Sequence, residues 1–337
     1  MRHAACLLAA LAVVGSAMSC DRGQQGPTRI RLSLILGDTS EWYQGAMKWK
    51  ELVEERTDGR YRVEVIPNAS RSSNSQSTEL QDVQRGNLEA SLESTILLST
   101  IDPAWQVFSS PWLFPSHEVA NAVCDGPAGQ AMLEGLPEKN LVGLAYGVNG
   151  FRQITNNQHP IRTPADLEGL KIRIPQGLPP QLITHFGASA HLMNFGDLFI
   201  ALRTGDMHGQ ENPLSVIKAA KLHTVQEHLT LWNYVYDPIV LCVNQDFWAS
   251  VPEADQTILR ACAREAMAAE RTLVEEGDKI LPVELEQLGM KVVRPSPEEL
   301  AAFKAAAAGL RGHFQEAAGA ERLGRFEAAV AEAETGR

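Results

Sequence analysis

Apolar positions follow two alternating periods over the first hundred residues. Ile30 to Leu36 (IRLSLIL) is a strand-like run, followed by a Gly-Asp-Thr-Ser turn. Beyond the turn, Trp42, Ala46, Trp49 and Val53 recur at helical spacing, with Ser40 or Thr39 as the cap and Asp58-Gly59 as the stop. Tyr61 to Ile66 (YRVEVI) predicts a second strand, ended by Pro67. Gln76 to Arg85 predicts a helix that stops at Gly86, and Leu88 to Leu92 a short strand. Alternation of this kind implies a parallel sheet covered by helices on both faces.

The middle of the chain continues the pattern. Leu141 to Val148 predicts an apolar strand running into Asn149-Gly150. Thr163 caps a short helix with Pro164 at its first position, and Gly169 stops it. Leu170 to Ile174 predicts a strand, Asp197 to Arg203 a helix stopped by Gly205, and Pro238 to Val243 a buried strand. Ser250 to Glu253 reads as a capping box, opening a long helix from Pro252 to about Leu288 in which Pro282 is the first breaker. Met290 to Val293 predicts a strand. Ser296 to Glu299 opens another capped helix, with Leu300 and Phe303 on its apolar face. The Ala/Glu-rich tail after Gly319 predicts a helix that frays.

The first twenty residues break the pattern. Arg2 precedes an uncharged run from Ala4 to Met18, about 15 residues against the ~20 that a membrane span needs. Small residues Ala17 and Ser19 precede Cys20, the layout of a secretory signal peptide. Ala17-Met18-Ser19-Cys20 also resembles a bacterial lipobox, with Ala17 where Leu is usual. That reading puts a lipid on Cys20 and tethers a periplasmic protein to a membrane; plain cleavage would release it. Polar residues from Asp21 to Pro27 suit a tether in either case.

The formal net charge of −11 argues against general nucleic-acid binding and against a basic membrane-surface patch. A small anionic ligand is still compatible, because it needs only one or two local cations. Cys124, Cys242 and Cys262 match no metal spacing and no CxxC pair; Cys242 lies in an apolar run and Cys262 in a helical one, so both read as buried hydrophobes. A disulfide among the three stays open. The chain carries no GxSxG, P-loop or HExxH motif, and His185 and His191 are not at a ligand spacing. No metal, cofactor or catalytic residue is expected.

Three segments carry candidate binding chemistry. In Leu170 to Pro175 (LKIRIP), Ile172 and Ile174 face one side of a strand, so Lys171 and Arg173 face the other. Arg173 then sits at the carboxyl end of its strand, where open α/β sheets bind ligands, and its guanidinium fork fits a carboxylate. The competing reading is a surface ion pair. Gly150 to Asn157 is dense in polar donors, with Arg152 either a second cation or a clamp on the crossover. Gly205 to Pro213 reads as a loop holding Gln210, Glu211 and Asn212, with simple turn chemistry as the alternative.

In order and spacing these segments resemble the substrate-binding subunit of tripartite ATP-independent periplasmic (TRAP) transporters, of the dicarboxylate-binding (DctP) type. The residues that carry the resemblance are Gly150 to Asn156 (GFRQITN), Asp166 to Pro175 (DLEGLKIRIP), Ala201 to Gly205 (ALRTG) and Gly209 to Pro213 (GQENP). Weaker likeness runs from about Arg29 to about Phe314. The resemblance implies a two-lobed α/β periplasmic-binding-protein fold, each lobe a mostly parallel sheet flanked by helices, with a long helix spanning both. It implies lobe I from 29–148 and 238–278, and lobe II from 149–237 and 279–330, behind a signal peptide at 1–19 and a tether at 20–28.

The family's carboxylate-binding arginine falls on Arg173, a second arginine on Arg152, and a supporting asparagine on Asn212. The partners implied are a small carboxylate and the TRAP membrane permease subunits, with the receptor a monomer. Around these anchors the sequence departs from the family. His208 replaces a usual Asp, and the segment after Pro67 lacks the family's Leu-Gly. Arg71 and Gln76 there are candidates for the ligand's far end, and Trp42 and Tyr234 for packing on an organic chain. Three other functions share this outline: a receptor for an ATP-driven importer, a sensor receptor, and an exported hydrolase or isomerase using Glu41, Glu211 or His208.

Overall fold

A computed structural model describes residues 26–336. The expected signal peptide and Cys20 lie outside the described residues. Ten strands form the frame: β1 Thr28–Ser33, β2 Tyr61–Ile66, β3 Ala90–Ser94, β4 Leu141–Asn156, β5 Lys171–Ile174, β6 Ser189–Leu192, β7 Gly209–Pro213, β8 His228–Thr230, β9 Tyr236–Asn244 and β10 Lys291–Val293. They make two sheets that share β4. The first runs β2-β1-β3-β9-β4, with only β9 reversed. The second runs β10-β8-β4-β7-β5-β6, with only β4 reversed. Each is thus a mostly parallel sheet with one strand running against it.

Apolar burial explains why both sheets are covered. On one face of the first sheet, Trp49 and Val53 of the helix Glu41–Arg56 meet Ile30, Leu92, Ile239 and Leu241, together with Ala263 and Met267 of the helix Glu253–Gln287. That long helix continues to the second sheet, where Leu281 and Leu285 join Leu198, Leu202 and Leu229. One helix therefore contributes to the cores of both sheets. On the other face of the first sheet, Leu80, Trp105, Phe108 and Tyr146 start a cluster that runs through to Ile172, Ile183 and Phe303.

Several local expectations change. β1 ends at Ser33, because Leu34 and Leu36, though buried, pair with the turn after β2: Leu34 N–H donates to Ile66 and Asn68 N–H to Leu36. The polar stretch after Val148 is not a loop. β4 continues to Asn156 through register shifts at Gly143/Ala145 and Val148/Gly150, which let one strand serve both sheets. Gly209 to Pro213 is likewise a buried strand, drawn against β4 where a Cβ on Gly209 would lie 2.1 Å from the Thr155 carbonyl oxygen. Ser250 makes no capping box: its hydroxyl bonds back to Phe247 within its own helix, and the long helix opens at Pro252 without a side-chain cap. Pro282 lies inside that helix, which runs on to Gln287 with Leu281 and Leu285 buried on either side of it.

The tail packs instead of fraying. Helices Arg311–Ala318 and Ala320–Thr335 bury Phe314, Leu323, Phe326 and Val330. Phe326 meets Phe108 edge-on at 5.0 Å between centroids. These last helices lie against the 103–134 segment, while the preceding helix Pro297–Ala307 sits with the second sheet's side, where His185 bonds the Ala306 carbonyl. Cys124, Cys242 and Cys262 are buried and unpaired. Among the described residues no helix is long and apolar enough to cross a membrane, and no group of three or more His, Cys, Asp or Glu could hold a metal.

Candidate functional site

The two sheets face each other across a closed cleft. Ser99, which caps the short helix Thr95–Leu98, donates its hydroxyl to the Gly177 carbonyl at 2.8 Å, and Gly196 lies so near Asn74 across the cleft that a Cβ on it would stand 2.9 Å from the Asn74 carbonyl oxygen. Between them lies a cavity with about 410 Å³ of empty space, the open solvent at its mouth included. Its lining includes Trp42, Gln76, Asn149, Arg152, Arg173, Phe195, Asn212 and Asp237.

Strand order brings the polar residues together. Arg173 on β5 pairs in register with Gln210 on β7, and β7 pairs with β4 so that Asn212 lies opposite Gln153 and Pro213 opposite Arg152. Asp237 enters from β9 opposite Gly150. Trp42, Gln76 and Phe195 come from the first turns of helices Glu41–Arg56, Gln76–Gln84 and Phe195–Thr204. Helix N-termini present unpaired N–H groups and a partial positive charge, which favours an anion between them.

The two arginines differ in their electrostatics. Arg152 is already neutralised. It donates from Nη1 to Asp237 at 2.9 Å, from Nη2 to the Glu211 carboxylate at 2.7 Å and carbonyl at 2.9 Å, and from Nε to Glu211. It also reaches the Asn212 side-chain oxygen at 3.3 Å. Burial opposes the Arg152 charge, but Glu211 and Asp237 outweigh it and hold the guanidinium above its ordinary range.

Arg173 is 1 % exposed and has no carboxylate within ion-pair distance among the described residues. Its Nε and Nη2 both donate to the Met193 carbonyl, at 3.0 and 2.6 Å, and its guanidinium lies 6.0 Å from the centre of the Phe195 ring. Arginine has five N–H donors, so the Nη1/Nη2 edge stays free. Burial pushes Arg173 down to about 9, which still leaves it a cation at neutral pH.

Other candidates are placed apart. Gln76 and Trp42 line the cavity, but Arg71 does not: it pairs with Glu64 at 3.0 Å on the surface. Tyr234 is buried outside the cavity lining, its ring centre 4.4 Å from that of Trp232 at a 35° tilt, and donates its hydroxyl to Glu211 at 2.8 Å. His208 accepts from the Lys171 N–H and lies outside the lining. Sequence reasoning missed Asn149, Phe195 and the role of Asp237. An Asp inside the apolar run YDPIVLCV was the available signal, since a buried carboxylate needs partners.

Two mostly parallel sheets flanked by helices, sharing a strand and a long helix and enclosing a cavity between them, are the architecture of the two-lobed solute-binding class of protein. The chain belongs to one family of that class: the profile of bacterial extracellular solute-binding protein family 7, DctP, matches residues 32–316. A solute-binding protein of Verminephrobacter eiseniae is 33% identical over 304 residues, covering 90% of this chain and 89% of that one. A TRAP periplasmic solute-binding protein from Ralstonia eutropha H16, with (S)-2-acetolactate bound, superposes with a TM-score of 0.86 at 32% identity, over 90% of this chain and 99% of the other. The sugar-acid-binding protein DctPAm from Advenella mimigardefordensis, in complex with galactonate, gives 0.88 at 30% identity, over 91% and 99%.

Proposed function

We propose that the protein captures a small organic carboxylate in the closed cleft and delivers it to a TRAP-type membrane permease. The observation that carries this reading is Arg173: a buried cation on the cavity wall with a free guanidinium edge and no carboxylate partner. Burying such a charge is costly unless it is paired, and a ligand carboxylate supplies the pair. Asn212 has a second amide N–H to offer the same group, and Arg152 lends its field while bound to Glu211 and Asp237. Gln76 and Trp42 contact the rest of the ligand. The carboxylates bound by the Ralstonia and Advenella proteins support the assignment.

Binding proceeds without chemistry. The Glu211 carboxylate is engaged by Arg152 and Tyr234, and that of Asp237 by Arg152, Asn149 and Ser94, so neither is free as a general base. The receptor acts outside the cytoplasm, and a lipid on Cys20 would hold it at the membrane.

A thermal-shift screen of organic acids against their amides and alcohols tests the reading. A ligand that binds only the folded state raises the melting temperature with the logarithm of its saturation. An acid that shifts the transition while its amide does not supports the assignment. Equal shifts from acid and amide would remove Arg173 from the argument.

A further inference from the structure

The cavity holds two polar groups that the carboxylate anchor leaves unexplained. Trp42 is 3 % exposed, and its Nε1–H has no acceptor among the described residues. Asn149 is 5 % exposed, and its Nδ2 donates to Asp237 Oδ2 at 2.8 Å. A carboxylate only accepts, so that bond orients the amide and leaves Oδ1 as the other end. Asn149 Oδ1 has no partner either. Both residues line the same cavity as Arg173. Native proteins leave few buried polar atoms unmatched, so each of these marks a place for a ligand atom.

Charge narrows what that atom can be. Two cations, Arg152 and Arg173, already share the region with Glu211 and Asp237, and both carboxylates are spent on Arg152. One ligand carboxylate completes Arg173. A second would have no cation left and would meet Asn149 Oδ1, an acceptor, beside the Asp237 carboxylate. Like charges and facing acceptors in a closed, low-dielectric space are unfavourable. An ammonium group fares no better, because Asp237 already accepts from Arg152, Asn149, Ser94 and Thr95. A hydroxyl is the one group that can answer either orphan: its oxygen can accept from the Trp42 N–H, and its proton can be donated to Asn149 Oδ1.

We infer that the site selects hydroxylated monocarboxylates, with the carboxylate on Arg173 and a hydroxyl donor on Asn149 Oδ1, over dicarboxylates, unsubstituted acids and amino acids. This rests on the carboxylate reading above and names the class within it.

Isothermal titration with length-matched acids tests it: glycerate, propanoate and malonate, then gluconate, hexanoate and adipate. A hydroxy acid should bind at least about tenfold tighter than both partners of its length, because a site built for a hydroxyl is left unmatched without one. Trp42→Phe keeps the ring and removes only the N–H. It should weaken the hydroxy acid about tenfold, several times more than it weakens the unsubstituted acid. Asn149→Ser serves as a second variant, and a melting curve of each shows that it folds. A dicarboxylate that binds as tightly as the hydroxy acid overturns the selectivity and leaves the carboxylate reading standing. Equal losses for both acids in Trp42→Phe overturn the hydroxyl contact. If none of the acids binds, or amides bind as well as acids, both readings fall.

Discussion

At the scale of single residues, Arg152 and Arg173 sit in one cavity and predict opposite behaviour. Arg173→Ala removes a buried cation that has no protein carboxylate, so the unliganded protein should keep or gain stability. Carboxylate affinity should fall by about 2–5 kcal/mol. Arg152→Ala strands Glu211 and Asp237 as buried, unpaired carboxylates, which should cost about 3–5 kcal/mol of folding stability. Urea unfolding of each variant without ligand, followed by titration, separates the two; a strongly destabilised Arg173→Ala would contradict the assignment.

Buried acids give a second residue-scale prediction. Burial pushes Glu79 and Glu270 up to about 8, and burial with the nearby Glu79 pushes Glu93 well above its usual value. Glu79 Oε1 accepts from Ser33, while its Oε2 and one oxygen each of Glu93 and Glu270 have no partner. The folded state therefore keeps protons that the unfolded chain releases near its ordinary pKa of ~4.3. That contribution is full below the unfolded value and is lost as pH rises through about 8. The melting temperature should drop between about pH 5 and 8, and Glu79→Gln should flatten part of the slope; an unchanged slope would exclude Glu79 as a source.

At the scale of elements, apolar contact decides where the backbone rules alone do not. The helix Glu253–Gln287 accommodates Pro282, which costs ~3 kcal/mol in a helix interior, while Leu281 and Leu285 bury into the second sheet's core. The terminal helix Ala320–Thr335 is held by Leu323, Phe326 and Val330. Phe326→Ala should therefore lower unfolding stability by about 3–5 kcal/mol, read as a lower urea midpoint at unchanged slope. A loss below ~0.5 kcal/mol would mean that the tail is only loosely docked.

At the scale of the whole molecule, the lobes meet without room to spare. A Cβ on Gly196 would stand 2.9 Å from the Asn74 carbonyl oxygen, and this glycine has no positive φ to complicate the change. Gly196→Ala should wedge the cleft slightly open. The expected result is weaker ligand binding at unchanged unliganded stability, and a smaller ligand-induced drop in radius of gyration by small-angle scattering. Full compaction on binding would show that another contact governs closure. We propose the crossovers at β4, at β9 and in the long helix as the hinge, since each connects the two sheets' cores.

Much of this was legible in the chain. Helix and strand periods placed most elements, because burial against a sheet imposes a repeat on the side chains that face it. The place of Arg173 on the cavity wall was legible because it alternates with Ile172 and Ile174 near the carboxyl end of its strand. The continuation of β4 past Gly150 was not, since its polar residues face partners on β7 and β8 that no local pattern reveals. Nor was the difference between the arginines. The same residue type becomes a neutralised strut or a cation without a carboxylate partner according to which carboxylates surround it, and Glu211 and Asp237 lie 59 and 85 positions from Arg152. The sequence by itself determined most of the elements and the family-like motifs, which are local in the chain. Only the tertiary structure decided which polar groups are buried together and which are left unpaired, because hydrogen-bond satisfaction depends on neighbours in space.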